Sequence, residues 1–240
     1  MSSRQRIDKI LSNMGFGTRK EVKELVRSGQ VQVDRSIVKD PGQQVMPDSQ
    51  EITVEGRKLL YRDTIYIIMN KPQGVISATE DSREQTVVDL LPDEFRAFDP
   101  FPVGRLDKDT EGLLLLTNDG QLSHRLLSPK KHVPKTYLAK IMGRVDEEDV
   151  AAFSKGVTLE DGYRTMASQL VILERGNIST IEITIYEGKY HQVKRMFQAV
   201  GKEVIYLKRI AMGELKLDES LELGEFRELK TDELRIIGIE

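Results

Sequence analysis

The segment Gly104-Arg105-Leu106-Asp107-Lys108-Asp109-Thr110-Glu111-Gly112 runs directly into the apolar stretch Leu113–Leu116. No other part of the chain constrains its folding as strongly. Four consecutive leucines in a soluble composition have to be buried. The polar, glycine-bracketed loop before them therefore stands on a rigid support and keeps its other side open. An acid on that loop, Asp107, has the placement that a catalytic acid requires. Arg105 brings a cation to the same short segment.

Composition narrows the chemistry. The 240 residues include no Cys, no Trp and three His, and 31% are charged. This suits one large or two modest globular domains. Without cysteine there are no disulfides, thiolate metal sites or cysteine nucleophiles. No apolar run approaches the roughly 20 residues that cross a bilayer, and the first residues lack a signal-peptide apolar region, so a cytoplasmic protein is expected. Net charge is only −3, but its distribution is uneven. Arg19, Lys20, Lys23 and Arg27 crowd one short segment. Arg125, Lys130, Lys131, Lys135 and Lys140 fall in a stretch with no acid, and acids dominate after residue 210. Two basic regions on a near-neutral chain suit a polyanion that touches selected faces.

Periodicity predicts two helices first. Ile7, Ile10, Leu11 and Met14 form one inward stripe ended by Gly15. Thr18 with Glu21 is a capping box for the next helix, with Val22, Leu25 and Val26 inward and Gly29 as its stop. Its solvent side carries Arg19, Lys20, Lys23 and Arg27, a phosphate-contacting surface in expectation. Strands follow at Val31–Val33 and Ile52–Val54. Leu59 to Asp63 reads as a connector, giving a small domain over 1–59, a linker over 60–63 and a second domain over 64–240. In the latter, strands are predicted at 65–69, 113–117, 135–142, 166–173, 178–186 and 203–210. Helices are predicted at 121–127, 147–154, 191–200 and 231–237. Phe101-Pro102-Val103-Gly104 is a poor strand because it carries its own breakers. The fold class is α+β: a small N-terminal α/β domain, then a mixed, largely antiparallel sheet flanked by helices.

Several chemistries fail on context. Asp107-Lys108-Asp109-Thr110 resembles the motif of aspartate-nucleophile phosphatases, but there the buried strand precedes the acids, and here it follows them. An EF-hand alignment ends on Asn118, which cannot give the closing bidentate carboxylate. His124, His132 and His191 lack metal spacing and read as surface or hydrogen-bonding histidines. There is no nucleophile elbow and no dinucleotide fingerprint.

The motifs do resemble one family. Gly104-Arg105-Leu106-Asp107 with Thr110, Gly112, Leu113–Thr117 and Asp119-Gly120 is similar to the core motif of pseudouridine synthases. Asn70-Lys71-Pro72 matches the family's preceding strand end, Lys135-Thr136-Tyr137 its tyrosine motif, and the run from Glu187 to Phe197 its C-terminal motif. Gly120 to Arg125 and Ser128-Pro129 resemble the RsuA branch, which acts on small-subunit ribosomal RNA. Residues 1–59 are similar to the small S-four-type RNA-binding domain. Two departures are visible: Asp34-Arg35-Ser36 replaces the usual Asn-Gly turn, and Met166 stands where a proline is frequent.

The resemblance implies isomerisation of a uridine within small-subunit (16S) ribosomal RNA, by base flipping and an essential aspartate. No cofactor and no metal are implied. Asp107 is implied as the essential acid, acting as nucleophile or base. Tyr137 stacks on the uracil and assists proton removal, and Lys194 pairs with Asp107. Arg105 fills the vacated space or holds the backbone, and Val193 supplies an apolar wall. Thr110 and Gln192 join these as substrate-binding residues. Arg19, Lys20, Lys23, Arg27, Lys130 and Lys131 are the expected RNA contacts. Tyr190, Met196 and Phe197 read as packing. The expected partner is ribosomal RNA or a pre-ribosomal particle, met by a monomer with no membrane attachment. The alternatives are a large-subunit (23S) enzyme of the same family and a non-catalytic ribosome-assembly factor.

Overall fold

The computed structural model describes residues 4–59 and 61–239. Residues 1–3, 60 and 240, which the expected domain and linker limits include, lie outside them. The chain divides into two compact units. One runs to Ile65 and takes in Leu91–Pro100; the other comprises Tyr66–Leu90 and Phe101 onward.

The first unit begins with a two-residue strand, β1 (Gln5–Arg6), and helix α1 (Ile7–Asn13), followed by α2 (Arg19–Arg27). The Thr18–Glu21 capping box forms as the sequence requires: the Thr18 hydroxyl accepts from the Glu21 N–H, and the Glu21 carboxylate accepts from the Thr18 N–H at 2.8 Å. Ile7, Ile10, Leu11, Val22 and Val26 are buried with Val31, Val33, Ile52 and Val54 in one core. The strands β2 (Val31–Val33), β3 (Ser36–Ile37), β5 (Ile52–Val54) and β6 (Arg57–Lys58) form a sheet in the order β3-β2-β5-β6. Strand β4 (Gln44–Val45) pairs with β1 instead. Asp34 and Arg35 both have positive φ (49° and 65°), which is what the tight turn of a two-residue hairpin demands. The Asp34 carboxylate fixes it by accepting from the Glu51 N–H and the Gln50 amide. The Asp-Arg sequence thus keeps the turn that Asn-Gly would give. Leu91–Pro100, with the short helix α3 (Asp93–Arg96), packs into this unit although it lies within the sequence span 64–240. The Arg62 guanidinium sits 5.4 Å from the Phe98 ring centroid and 5.9 Å from that of Phe95, a cation–aromatic contact that hydrophobic spacing does not encode.

The second unit is built on a nine-stranded sheet. Its strands are β7 (Tyr66–Lys71), β8 (Phe101–Pro102), β9 (Glu111–Thr117), β10 (Lys135–Met142), β11 (Gln169–Glu174), β12 (Ile178–Ile185), β13 (Glu203–Met212), β14 (Leu215–Lys216) and β15 (Phe226–Glu228). The order is β11-β12-β10-β13-β9-β7-β15, with β8 beside β9 and β14 beside β13. Every pairing is antiparallel except that of β9 with β13. Helices α4 (Gly120–Leu127), α5 (Glu147–Phe153), α6 (Gln192–Ala199) and α7 (Thr231–Ile236) complete the unit. Most limits fall within one or two residues of the sequence reading, which is the ordinary uncertainty of element ends. Two differ more. The strand expected from Met166 begins at Gln169, and Phe101–Pro102 does pair with β9, at its flank, where a proline costs no ladder bond.

Two features of this sheet place the loop of Asp107. All seven residues of β9 are buried, as the leucine run predicts. The parallel pairing is short, Lys208 with Glu111 and Arg209 with Gly112, and Arg209 is in turn the cross-strand partner of Tyr137 on β10. Gly112 has φ of 102°, and a Cβ there would lie 2.3 Å from the Arg209 carbonyl oxygen. Only glycine allows this approach. Gly112→Ala is expected to cost about 2–4 kcal/mol, from overpacking against backbone plus left-handed strain. Urea denaturation checks this; a loss below 1 kcal/mol would show that the strand pair can shift freely.

Candidate active site

Asp107 sits at the end of the loop that feeds β9, and several bonds hold that loop in place. The Leu106 N–H donates to the Ser77 hydroxyl at 3.0 Å, which itself donates to the Leu106 carbonyl. The Gly74 N–H donates to the Lys108 carbonyl, and the Thr110 N–H to that of Asp107. Beneath lies Lys71, the last residue of β7 and fully buried. Its ammonium donates to the carbonyls of Pro72 (2.9 Å), Asp107 (3.1 Å) and Thr110 (2.9 Å). Burial pushes the Lys71 pKa down to about 8, while Asp107, Asp109 and Glu111 oppose the shift. The sequence signal for this residue was its place in Asn70-Lys71-Pro72, but its role as an anchor of the loop was not legible there.

The Asp107 side chain is 28% exposed and borders a shallow, open hollow of about 450 Å³, its mouth included. The hollow is walled by Tyr137, Ile185, Val193 and Leu207, with Arg105, His191 and Lys194 among its polar lining. Tyr137, Ile185 and Leu207 come from neighbouring strands β10, β12 and β13. Val193 and Lys194 come from the first turn of α6. That helix is seated on the sheet by Met196 and Phe197, both fully buried, and the Phe197 ring lies 4.8 Å from that of Phe153.

One Asp107 oxygen lies 3.5 Å from Lys194 Nζ and the other 3.5 Å from His191 Nε2. Lys194 makes its short contact elsewhere, donating to Asp109 Oδ1 at 2.5 Å. The expected Lys194–Asp107 pair is therefore shared, with Asp109 holding the hydrogen bond. Burial raises the Asp109 pKa, but the bond and charge of Lys194, a backbone hydrogen bond and the charge of His191 outweigh it, and the net shift is downward. Among the described residues none donates a hydrogen bond to the Asp107 carboxylate.

A family model for RNA pseudouridylate synthase matches residues 65–199, and one for the S4 domain matches residues 5–50. The chain belongs to the RNA pseudouridine synthase family. It is 56% identical to the uncharacterized RNA pseudouridine synthase YtzG of Bacillus subtilis (strain 168), covering 97% of this chain and 98% of that one. Identity to the ribosomal small subunit pseudouridine synthase A of Vibrio cholerae is 41%, covering 97% and 99%. Identity to the ribosomal large subunit pseudouridine synthase B of Bacillus subtilis is 38%, covering 96% and 94%. A crystal structure of a pseudouridylate synthase superposes with a TM-score of 0.68 at 38% identity, covering 97% of this chain and 99% of that one. The protein is thus an RNA pseudouridine synthase, an isomerase with an α+β fold.

The remaining residues singled out in the sequence of this synthase fall into three groups. Arg105 is exposed at the hollow, and Val193 and Tyr137 are buried in its wall. The Tyr137 hydroxyl bonds to no described residue. Thr110 is also in the wall, buried, and its hydroxyl has no hydrogen-bond partner among the described residues. Gln192 reaches the lining, but its amide is spent on the local chain. Its oxygen accepts from the Lys189 N–H and its nitrogen donates to Glu187, so it positions this turn rather than meeting substrate. Lys130 and Lys131 are exposed on a 3-10 turn and do not line the hollow. Arg19, Lys20 and Arg27 are exposed and Lys23 half-buried on α2 of the first unit.

The packing role expected for Tyr190 is not what the fold gives: the residue is 75% exposed, unlike buried Met196 and Phe197. His191, which the sequence reads as a surface or hydrogen-bonding histidine, lines the hollow beside Asp107. Among the described residues no helix is long and apolar enough to cross a membrane.

Lys71→Met fills the same space without donors and strands three carbonyls. It is expected to destabilise the enzyme by about 3 kcal/mol, given a net 1–3 kcal/mol for each lost charged bond and partial relief of the buried charge. An unfolded lysine keeps its proton to about pH 10.5, whereas Lys71 releases it near 8. The unfolded chain thus binds more protons across that window, and the lysine's contribution to stability rises with pH. The margin of wild type over variant should widen from pH 8 to pH 10 in urea denaturation. A constant margin would mean that Lys71 titrates normally.

Proposed function

We propose that this enzyme isomerises a uridine of ribosomal RNA, in the small subunit as the first reading, with Asp107 as its essential acid. The observation that carries the assignment is the Asp107 carboxylate itself. It is held from below through its own backbone, faces an open hollow with an aromatic and an aliphatic wall, and accepts no hydrogen bond from described residues. In this reaction the N1–C1′ bond of a uridine breaks, the uracil turns, and C5 bonds to C1′. The proton leaving C5 is balanced by one gained at N1. Atoms and electrons balance within the nucleotide.

The target base must leave its stack to reach such a hollow, at a cost of a few kcal/mol. Arg105, exposed at the rim, is suited to fill the vacated space or hold the backbone. Tyr137 and Val193 would sandwich the uracil, and the free Tyr137 hydroxyl would assist proton removal from C5. Thr110, buried in the wall of the hollow, would shape the seat of the nucleotide. Asp107 would act as nucleophile or base, at the ribose or the uracil, with the Lys194 ammonium stabilising its charge. Residues 1–59 would bind RNA through the α2 cations, with 64–240 as the catalytic part.

The small-subunit reading rests on the segment from Gly120 to Arg125 and on the Vibrio relative. The large-subunit reading is favoured by the Bacillus large-subunit relative, whose identity is nearly equal. A non-catalytic assembly role is disfavoured by the presence of Asp107, Tyr137 and Lys194 around one hollow. Counting pseudouridines by mass spectrometry in 16S and 23S rRNA, from cells with and without the protein, separates these readings. One 16S site should be lost on deletion, restored by wild type and not by Asp107→Asn. A 23S site would replace the subunit assignment, and restoration by Asp107→Asn would overturn the role of the acid.

Replacing Arg19, Lys20, Lys23 and Arg27 by Gln should weaken RNA binding and flatten its salt dependence. The slope of log K against log salt should fall by about 0.7 per lost contact with single-stranded RNA. Fluorescence anisotropy across a salt series measures it. An unchanged slope would assign the α2 face some other task.

A further inference from the structure

At the edge of the Asp107 hollow stands an aromatic ring that packing does not explain. Tyr190 is 75% exposed, and its ring lies on the His191 imidazole with centroids 3.8 Å apart and planes inclined by 18°. One face of the phenol is therefore covered, and the other is open to solvent. Its hydroxyl bonds to no described residue. His191 holds a left-handed backbone (φ 48°) as the cap of α6, a conformation that costs a non-glycine residue about 1 kcal/mol or more. That backbone presents the imidazole to Asp107 on one side and to Tyr190 on the other. Arg105, Lys189 and Lys194 stand in the surrounding lining; Lys194 is paired with Asp109, and Arg105 and Lys189 make no salt bridge among the described residues.

We propose that Tyr190 is the stacking platform for an unpaired nucleobase adjoining the uridine that enters the hollow. This rests on the pseudouridine synthase reading of that hollow and adds a second base-binding position to it. An open aromatic face beside cations is the combination that single-stranded nucleic acid requires, since every base has a π-face and every linkage a charge. An aliphatic or acidic protein partner would match one half of it only. The platform is also coupled to the chemistry by position: base, Tyr190, His191 and Asp107 follow one another, so a seated neighbour fixes where the flipped uridine can lie.

The test compares wild type, Tyr190→Ala and Tyr190→Phe in two measurements. The first is affinity for a fluorescein-labelled 12-nucleotide oligouridine by anisotropy. The second is KM and kcat on unmodified 16S and 23S rRNA transcripts of Bacillus subtilis. Tyr190→Ala should weaken oligouridine binding and raise KM by roughly 5- to 150-fold, the range for loss of one stacked base, with the loss falling on KM rather than kcat. Tyr190→Phe, which keeps the ring, should restore both. Unchanged affinity in Tyr190→Ala, a loss confined to kcat, or a Phe variant as weak as Ala would each overturn the platform. If wild type forms no pseudouridine in either transcript, naked rRNA is excluded as the substrate, while the oligouridine series still decides whether Tyr190 stacks.

Discussion

A single buried ammonium determines whether Asp107 has a fixed position. Lys71 enters the interior at the end of β7 with no carboxylate in direct contact, and its three hydrogen bonds go to backbone carbonyls. Two of those belong to the loop that carries the acid. Removing a charge from water is expensive, and the cost is tolerable only when every donor is used. The loop is therefore locked by the energetic needs of the lysine as much as by its own turns. Because the contacts run to the backbone of Asp107, they leave its carboxylate free. Asp107, Asp109 and Glu111 are close enough to favour the charged lysine, so the acidic character of the loop and the buried cation support each other.

From that anchor the sheet transmits position sideways. Gly112 lies against Arg209, and Arg209 pairs with Tyr137, so the wall tyrosine stands two strands from the base of the acid loop. Strand spacing of about 4.8 Å makes that offset close to 10 Å, a span that a nucleoside can bridge. The glycine is what permits the β9–β13 contact, and the buried Arg209 guanidinium reinforces it by donating to the Leu113 carbonyl. Helix α6 then closes the third side, carrying Val193 and Lys194 on the turn nearest the loop.

Much of this was legible in the residues. Leu113–Leu116 foretold a buried strand, Thr18 with Glu21 foretold the α2 cap, and the alternation of Ile181, Ile183 and Ile185 foretold a strand with one buried face. These are local rules, satisfied within a few residues. What escaped is what depends on the third dimension. Lys71 read as part of a strand-end motif, because nothing in its neighbours says that an ammonium will meet carbonyls some forty positions away. Tyr190 reads as packing from its aromatic type, yet it is exposed beside a left-handed residue, His191, whose conformation local sequence does not announce. Leu91–Pro100 packs with the first unit although the sequence span 64–240 contains it, and its contact with Arg62 has no periodicity to announce it.

The division of Lys194 between two carboxylates explains how Asp107 can be both stabilised and available. A lysine bound tightly to Asp107 would occupy a lone pair that the proposed role of this acid needs. Here Asp109 takes the hydrogen bond and holds the ammonium still, while Asp107 stays at 3.5 Å. Coulomb attraction falls only as the inverse of distance, so at 3.5 Å it is about a fifth weaker than at a contact of ~2.8 Å. Hydrogen bonding falls much faster and is largely gone at that separation. Asp109 therefore converts a salt bridge into a standing field: the charge on Asp107 keeps most of its electrostatic support, and its oxygens keep their freedom to meet a nucleotide. Sequence alone could not separate these two effects, because both carboxylates sit on the same motif and only their distances to one cation differ.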